Sequence, residues 1–409
     1  MSITHEDVAP VLSYIKTHWH RSVRRDTSPV KGVVLPYPYT TPCVTGSFTF
    51  FFYWDTYFTN LGLIPHGELE AARGNVENMM YLIRRHGFMP NHVGLENRSQ
   101  PPYFGPMVRD LHEVTRDDDW LAHAAEYVRQ EYYFWLNARS TPTGLARHAH
   151  TATFEYIDEF YKGVARRLGW SDDISPEEKH QASSHHIAEA ETGHDFTPRF
   201  DGRCLDFCPV DLNSNLYLYE KLLAEWSGLL HWDEEEFWEH RAATRAERMR
   251  RHMWNDERGL FLDYDFVNDG HSEVASLAAF HPLWAGLATE EEARRTAQNL
   301  PLFEREHGVA VCEPAEGDFY YQWGFPNAWP PLTYTTVTAL DRYGMEDAAR
   351  RVAEKYLSVS ADLFEETGQL WEKTDAVTGE VAGGEYDAQP MLGWSAGVFV
   401  ALAESLGLA

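Results

Sequence analysis

The chain has 409 residues, 44% of them hydrophobic and 14% aromatic, so it can bury a sizeable core and is not a disordered segment. Its formal charge of −28 and pI of about 5.0 repel nucleic acid and anionic lipid. A small neutral ligand suits this field better than a polyanion.

Helical periodicity starts over 66–87, where Arg84, Arg85 and His86 fill the last turn and Gly87 closes it. Residues 117–139 open on acids that suit a helix N-terminus. The acidic stretch 171–186 reads as a mobile surface loop, and His148, His150, His185 and His186 read as solvated. Further helices are expected over 209–231, with Asp211 as N-cap, and over 234–254, 275–288, 290–300, 330–344, 345–357 and 391–407. Strand signals are few; 259–266 and 369–383 read as short hairpins. Consecutive helices with short connections pack antiparallel and can close into a ring of hairpins. No linker composition divides the chain, so one all-α domain is expected over 1–409.

Cys43, Cys204, Cys208 and Cys312 are few and scattered, which predicts no disulfide framework and fits a reducing cytoplasm. Cys204, Cys208 and His194 match no structural zinc spacing, so neither metal nor cofactor is expected. Residues 1–20 lack the pattern of a secretory signal, and no apolar run reaches membrane-spanning length. The expected compartment is the cytoplasm, with no membrane or nucleic-acid partner, and the oligomeric state is left open.

Five loops are too rich in Trp, Asn, Gln, Arg and carboxylates to be plain connections: 50–58, 89–102, 192–200, 320–332 and 370–394. Polar hydrogen-bonders interleaved with aromatic rings point to a polyhydroxylated ligand, because Trp and Tyr offer flat apolar faces with one polar edge.

In these loops the chain resembles the trehalases. That family has one signature around an aromatic run ending in W-D-[ST]-Y and another around Q-W-D-x-P-N-[AG]-W-x-P-L. This chain reads FYWDTYF and QWGFPNAWPPL. RSQPP, GHDFTPRF, PVDLNSNLY, DYDF, LWEKTD and GGEYDAQPMLGW also occur in the family's order, over roughly residues 46 to 400. The resemblance implies an (α/α)6 barrel with short hairpins in its active-site loops, and hydrolysis of an α-glucoside with inversion. Matched position by position, it implies Asp195 as general acid, Glu372 as general base and Glu385 as a substrate ligand. It also implies sugar contacts from Trp54, Asp55, Asn91, Arg98 and Gln100, and from Gln322, Trp323, Asn327 and Trp329 of the second signature. Phe48 and Tyr53 of the aromatic run, Glu155 and Trp394 complete the expected substrate-binding set.

Glycoside cleavage needs an acid for the leaving oxygen and a base for water, and inverting enzymes hold the two carboxyls roughly 6.5–9.5 Å apart. Asp195 lies beside apolar Phe196, where poor solvation keeps a carboxyl protonated, and Glu372 lies beside Lys373, a cation that favours ionisation. Four positions depart from the family. Ser47 and Thr153 stand where it carries arginines, His194 where it has the Trp before the acid, and Gly324 where it has the Asp after Q-W. Losing two guanidiniums removes directional donors from a site that grips hydroxyls, so trehalose is expected to be a weaker substrate than another α-glycoside. The alternatives are an α-glucosyl or α-mannosyl compound with another aglycone, such as a glycerate or a kojibiose-like disaccharide, and a non-catalytic sugar-binding barrel. A sugar epimerase or lyase on the same barrel would use His or Tyr proton shuttles, and the retained acid pair argues against it.

Overall fold

A computed structural model describes residues 3–26, 28–168, 170, 173–315 and 320–409. Among them are fourteen α-helices. The first seven are α1 (His5–Ser22), α2 (Trp54–Leu63), α3 (Leu69–His86), α4 (Phe104–Thr115), α5 (Asp118–Ala138), α6 (Phe154–Leu168) and α7 (Pro176–Glu191). The others are α8 (Val210–Leu229), α9 (Glu235–Met253), α10 (His281–Trp284), α11 (Glu290–Gln298), α12 (Pro330–Arg342), α13 (Glu346–Thr367) and α14 (Trp394–Ser405).

Six of these close a ring: α2 packs on α4, α4 on α8, α8 on α10, α10 on α12, α12 on α14, and α14 back on α2. Ring helices are largely buried; in α2 every residue except Leu61 is buried. Between α2 and α14, glycine meets glycine. A methyl on Gly62 would stand 2.8 Å from the Gly397 Cα, so a side chain at either position would drive α2 and α14 apart. A second layer covers the ring, with α3 on α2, α5 on α4, α9 on α8, α13 on α12, and α1 against α13 and α14. Outer helices bury one stripe: Ala349, Val352, Ala353, Tyr356, Leu357 and Ser360 of α13 follow the helical period. Alternating inner and outer helices in six pairs make an (α/α)6 barrel, with α11 as the sixth outer helix and α6–α7 as an added hairpin. The main apolar core runs from Ile3 to Ala403.

The expected helix over 66–87 forms as α3 and ends at Gly87, whose φ of 85° gives the left-handed cap. That over 117–139 forms as α5, with the Asp117 side chain accepting from the Trp120 N–H. Five readings need correction. Residues 259–266 are not a hairpin: Leu260–Phe261 pairs with Trp254–Asn255, and Tyr264–Asp265 with Phe207–Cys208 and Gly270–His271. The stretch taken for a mobile loop is α7 from Pro176 onward, started by a Ser175–Glu178 capping box; residues 171–172 lie outside the described set. Asp211 does not cap α8. Pro209 is the N-cap residue, and Asp211 instead receives Arg199. The segment 275–288 is a 3₁₀ turn (Leu277–Phe280) followed by one-turn α10, because Pro282 cannot continue a helix but can start one. His148, His185 and His186 are buried, not solvated. Strands among the described residues are two-residue ladders, as Asn327–Ala328 against Thr374–Asp375. No described helix is long and apolar enough to cross a membrane.

Candidate active site

The chemistry-rich loops meet at the N-terminal ends of ring helices. Trp54 and Asp55 open α2, Trp394 opens α14, and Trp329 is the N-cap residue of α12. They surround a cavity of about 460 Å³. Helix N-termini carry partial positive charge, which suits a site that collects carboxylates.

Four indoles line this cavity. Trp54 lies 5.5 Å from Trp323 and 5.7 Å from Trp394, ring centre to ring centre. Trp323 is stacked on Trp329 at 3.7 Å, and His194 is stacked on Trp323 at 4.7 Å. The His194 imidazole thus fills a stacking position, and its Nδ1 lies 2.7 Å from Arg199 Nη1. Buried Arg199 in turn forks between Asp211 and Asp263, which braces the segment carrying Asp195 from behind. Phe48 lines the cavity as well, with Phe50 and Phe52. Every second residue of 48–54 faces it, as an extended chain dictates.

The polar lining includes Asn91, Arg98 and Gln100. Gln100 Oε1 accepts from the Trp54 N–H at 3.3 Å, and Asn91 Nδ2 donates to the Ser99 carbonyl at 3.2 Å. Arg98 Nη1 donates to Tyr156 OH on α6 at 3.1 Å.

Three carboxylates face the same space: Asp55, Asp195 and Glu372. Gly193, with φ 75°, brings the chain against Trp54 just before Asp195; a Cβ there would strike the indole at 2.8 Å. Burial pushes Asp55 up to about 8, its own backbone N–H opposes this, and the charges of Glu372 and Asp195 add to it. Burial likewise pushes Glu372 up to about 7, against the pull of Lys373 and of the Tyr386 hydroxyl, which donates to Oε1 at 2.9 Å. The Glu372 carbonyl accepts from Trp394 Nε1 at 3.1 Å, so one indole both forms part of the wall and holds the Glu372 backbone.

Five expected residues stand outside the lining. Tyr53 is fully buried behind the wall and donates to Glu131 at 2.8 Å. Asn327 ties the turn after Gln322 by donating to the Gln322 carbonyl at 2.9 Å, and Gln322 Oε1 accepts from the Glu385 N–H at 3.0 Å. Gln322 is buried and Glu385 half-buried beside the cavity, not on it. Glu155 is exposed in the first turn of α6, away from the lining, because Thr153 caps that helix through Oγ1 to the Tyr156 N–H at 3.3 Å and turns Glu155 outward. Sequence reasoning passed over Phe50, Phe52, His92, Tyr386, Gln389 and Met391, all on the wall. The alternation of aromatics over 48–54 was the available signal for the first two, and the Tyr next to Glu385 for the fourth.

Comparison with known proteins agrees with this geometry. Residues 3–407 match the Trehalase family. The chain belongs to the trehalase family. It is 32% identical to a periplasmic trehalase of Xanthomonas campestris pv. campestris over 95% of this chain and 72% of that one. The neutral trehalase of Saccharomyces cerevisiae superposes with a TM-score of 0.77 at 25% identity, covering 96% of this chain and 79% of that one. A mannosylglycerate hydrolase of Thermus thermophilus shares the fold at 18% identity, with a TM-score of 0.67 and coverage of 97% and 100%. The protein is accordingly a glycoside hydrolase of the (α/α)6 barrel type, acting on a small sugar substrate.

Proposed function

We propose that the protein hydrolyses trehalose with inversion at the anomeric carbon. The observation that carries this reading is a carboxylate pair, Asp195 and Glu372, opening on one tryptophan-lined cavity in a trehalase-family barrel. In this reading Asp195 donates its proton to the glycosidic oxygen as the anomeric C–O bond breaks. Glu372 takes a proton from a water whose oxygen attacks the anomeric carbon from the opposite face. Acid, base and water balance the reaction. Asp55, Asn91, Arg98 and Gln100 hold sugar hydroxyls, while Phe48, Trp54, Trp323, Trp329 and Trp394 pack on ring faces. Tyr53, Gln322, Asn327 and Glu385 support the wall from behind, and Glu155 has no substrate contact in this scheme. NMR of the first product tests the mechanism: β-glucose must appear before mutarotation, and early α-glucose on its own rejects inversion.

A second reading is favoured by one observation. Ser47 lines the cavity and Thr153 is spent on capping α6, so two positions that hold arginines elsewhere in the family supply no guanidinium here. On that reading another α-glycoside is the better substrate. Comparing kcat/KM on trehalose with kojibiose, nigerose, maltose, sucrose and glycosyl-glycerates separates the two; a tenfold or larger advantage for trehalose excludes the second. We further propose one domain over 1–409, supported by the continuous core, and a cytoplasmic location, supported by four unpaired cysteines. The Xanthomonas relative is named periplasmic, and fractionation of the native cell decides the compartment.

A further inference from the structure

Lys373 is the residue the proposed mechanism leaves unused. Its side chain is fully buried, and Nζ has no hydrogen-bond partner among the described residues. The ammonium lies 4.6 Å from the centre of the Tyr386 ring and 5.2 Å from that of Trp329. Cations over aromatic faces are attracted by the ring quadrupole, the more so away from water. Tyr386 OH donates to Glu372 Oε1 at 2.9 Å, whereas Glu372 Oε2 is buried and without a protein partner.

We infer that Lys373 and Tyr386 are positioning residues for the general base. The ammonium fixes the phenol ring, and the phenol hydroxyl pins Oε1 and with it the plane of the carboxylate. The inference rests on the assignment of Glu372 as base. It also explains a costly arrangement, since a buried amine without an acceptor is retained only where it acts on something. Lys373 lies outside the cavity lining and acts on Glu372 through its charge and through the Tyr386 ring that it holds.

The groups acting on this assembly come from several loops. Glu372 feels Lys373, Tyr386 and Asp195, and it acts in turn on Asp55 and Cys43. Burial brings Lys373 down to about 8, opposed by Glu372, Glu385 and Asp387. The cation and the phenol hydrogen bond both favour ionised Glu372. Removing either raises its proton affinity, and because the base works ionised, the acidic limb of kcat moves to higher pH.

The test compares Tyr386→Phe, Lys373→Met and Glu372→Gln on a saturating α-disaccharide. Tyr386→Phe loses one oxygen and keeps its ring, so it reads the relay even if Lys373→Met fails to fold. Both positioning variants are expected to lower kcat roughly ten- to a hundredfold, the scale of one hydrogen bond to a charge, with KM within about twofold. The acidic limb should rise by about one pH unit in both. An unmoved limb in a folded Tyr386→Phe overturns the inference, even if Lys373→Met shifts, since the cation would then act without the phenol. Activity retained by Glu372→Gln instead defeats the underlying base assignment; an inactive Glu372→Gln with an unmoved Tyr386→Phe limb defeats the relay alone.

Discussion

Glu191 offers the sharpest test of how the barrel holds its site. It is the last residue of α7, four positions before Asp195, and its carboxylate is fully buried. Arg139 reaches it twice, Nε to Oε2 at 3.0 Å and Nη2 to Oε1 at 2.7 Å. The N–H groups of Ser99 and Ala149 each donate to it at 2.8 Å. Ser99 sits between Arg98 and Gln100, so this one carboxylate ties the polar wall of the cavity to the segment carrying Asp195. Glu191→Gln removes the charge and leaves the Arg139 guanidinium, 3% exposed, without its carboxylate. Breaking a buried ion pair from one side costs about 3–5 kcal/mol, a large share of the ~5–15 kcal/mol that holds a domain together. Burial alone would raise the Glu191 carboxyl, but Arg139 and His148 overcome it and hold it well below the usual range. A depressed carboxyl stabilises the fold above its unfolded value, about 4.3, and that contribution fades as pH falls below it. Urea unfolding followed by Trp fluorescence should therefore show Glu191→Gln less stable by ~3 kcal/mol or more at pH 7, with the gap to wild type narrowing below pH ~4. A loss under ~1 kcal/mol at pH 7, or one that does not change with pH, refutes the reasoning.

Other outcomes follow from the site itself. Asp195→Asn and Glu372→Gln should each lower turnover by about two to four orders of magnitude while the circular dichroism spectrum stays that of wild type; near-normal turnover of an unactivated disaccharide by either rejects that assignment. Asp55, held protonated up to about 8, binds a proton in the folded state that the unfolded chain has released, so wild-type stability declines as pH rises from ~4 to ~8. Asp55→Asn should flatten that decline, and identical pH–stability curves would show that Asp55 is not held neutral. Ser47→Arg, placing a guanidinium on the cavity wall, should raise kcat/KM on trehalose roughly tenfold relative to maltose if missing donors limit recognition; equal changes on both sugars argue against this.

The amphipathic outer helices were readable because each buries one stripe and is punctuated by caps, as with Asp117 and Gly87. Helix α2 was not. FYWDTYFTN is buried on all sides, so it has no polar face to set a 3.6-residue period, and it reads as a ligand-binding loop. Helix α7 shows the opposite case: its Glu, Lys, Ser and His residues look solvated, yet Ser175-Pro-Glu-Glu178 was a visible capping box. In the site, motif matching found the right neighbourhoods and not the direction of each side chain. Asn327 and Trp329 come from one signature, but Asn327 ties a buried turn and Trp329 faces the cavity. Arg199 and Glu191 were invisible for a further reason: buried charges paired over dozens of positions look like surface charges in a string of letters.

The crowding of three carboxylates in one buried cavity also bears on which of them is the base. Like charges in a poorly solvated space oppose each other's ionisation. Their surroundings separate them. The charges that act on Asp55 are the other two carboxylates, and both favour its neutral form. Glu372 has Lys373 beside it in sequence and the Tyr386 hydroxyl on Oε1, and both favour its ionised form. Burial raises both groups, but only Glu372 has a cation and a phenol hydroxyl that oppose the rise. A neutral Asp55 carboxyl can donate to a sugar oxygen as well as accept from a hydroxyl, which supports its proposed role as a ligand. The cation behind Glu372 thus supports the proposal that this carboxylate, and not Asp55, takes a proton from water.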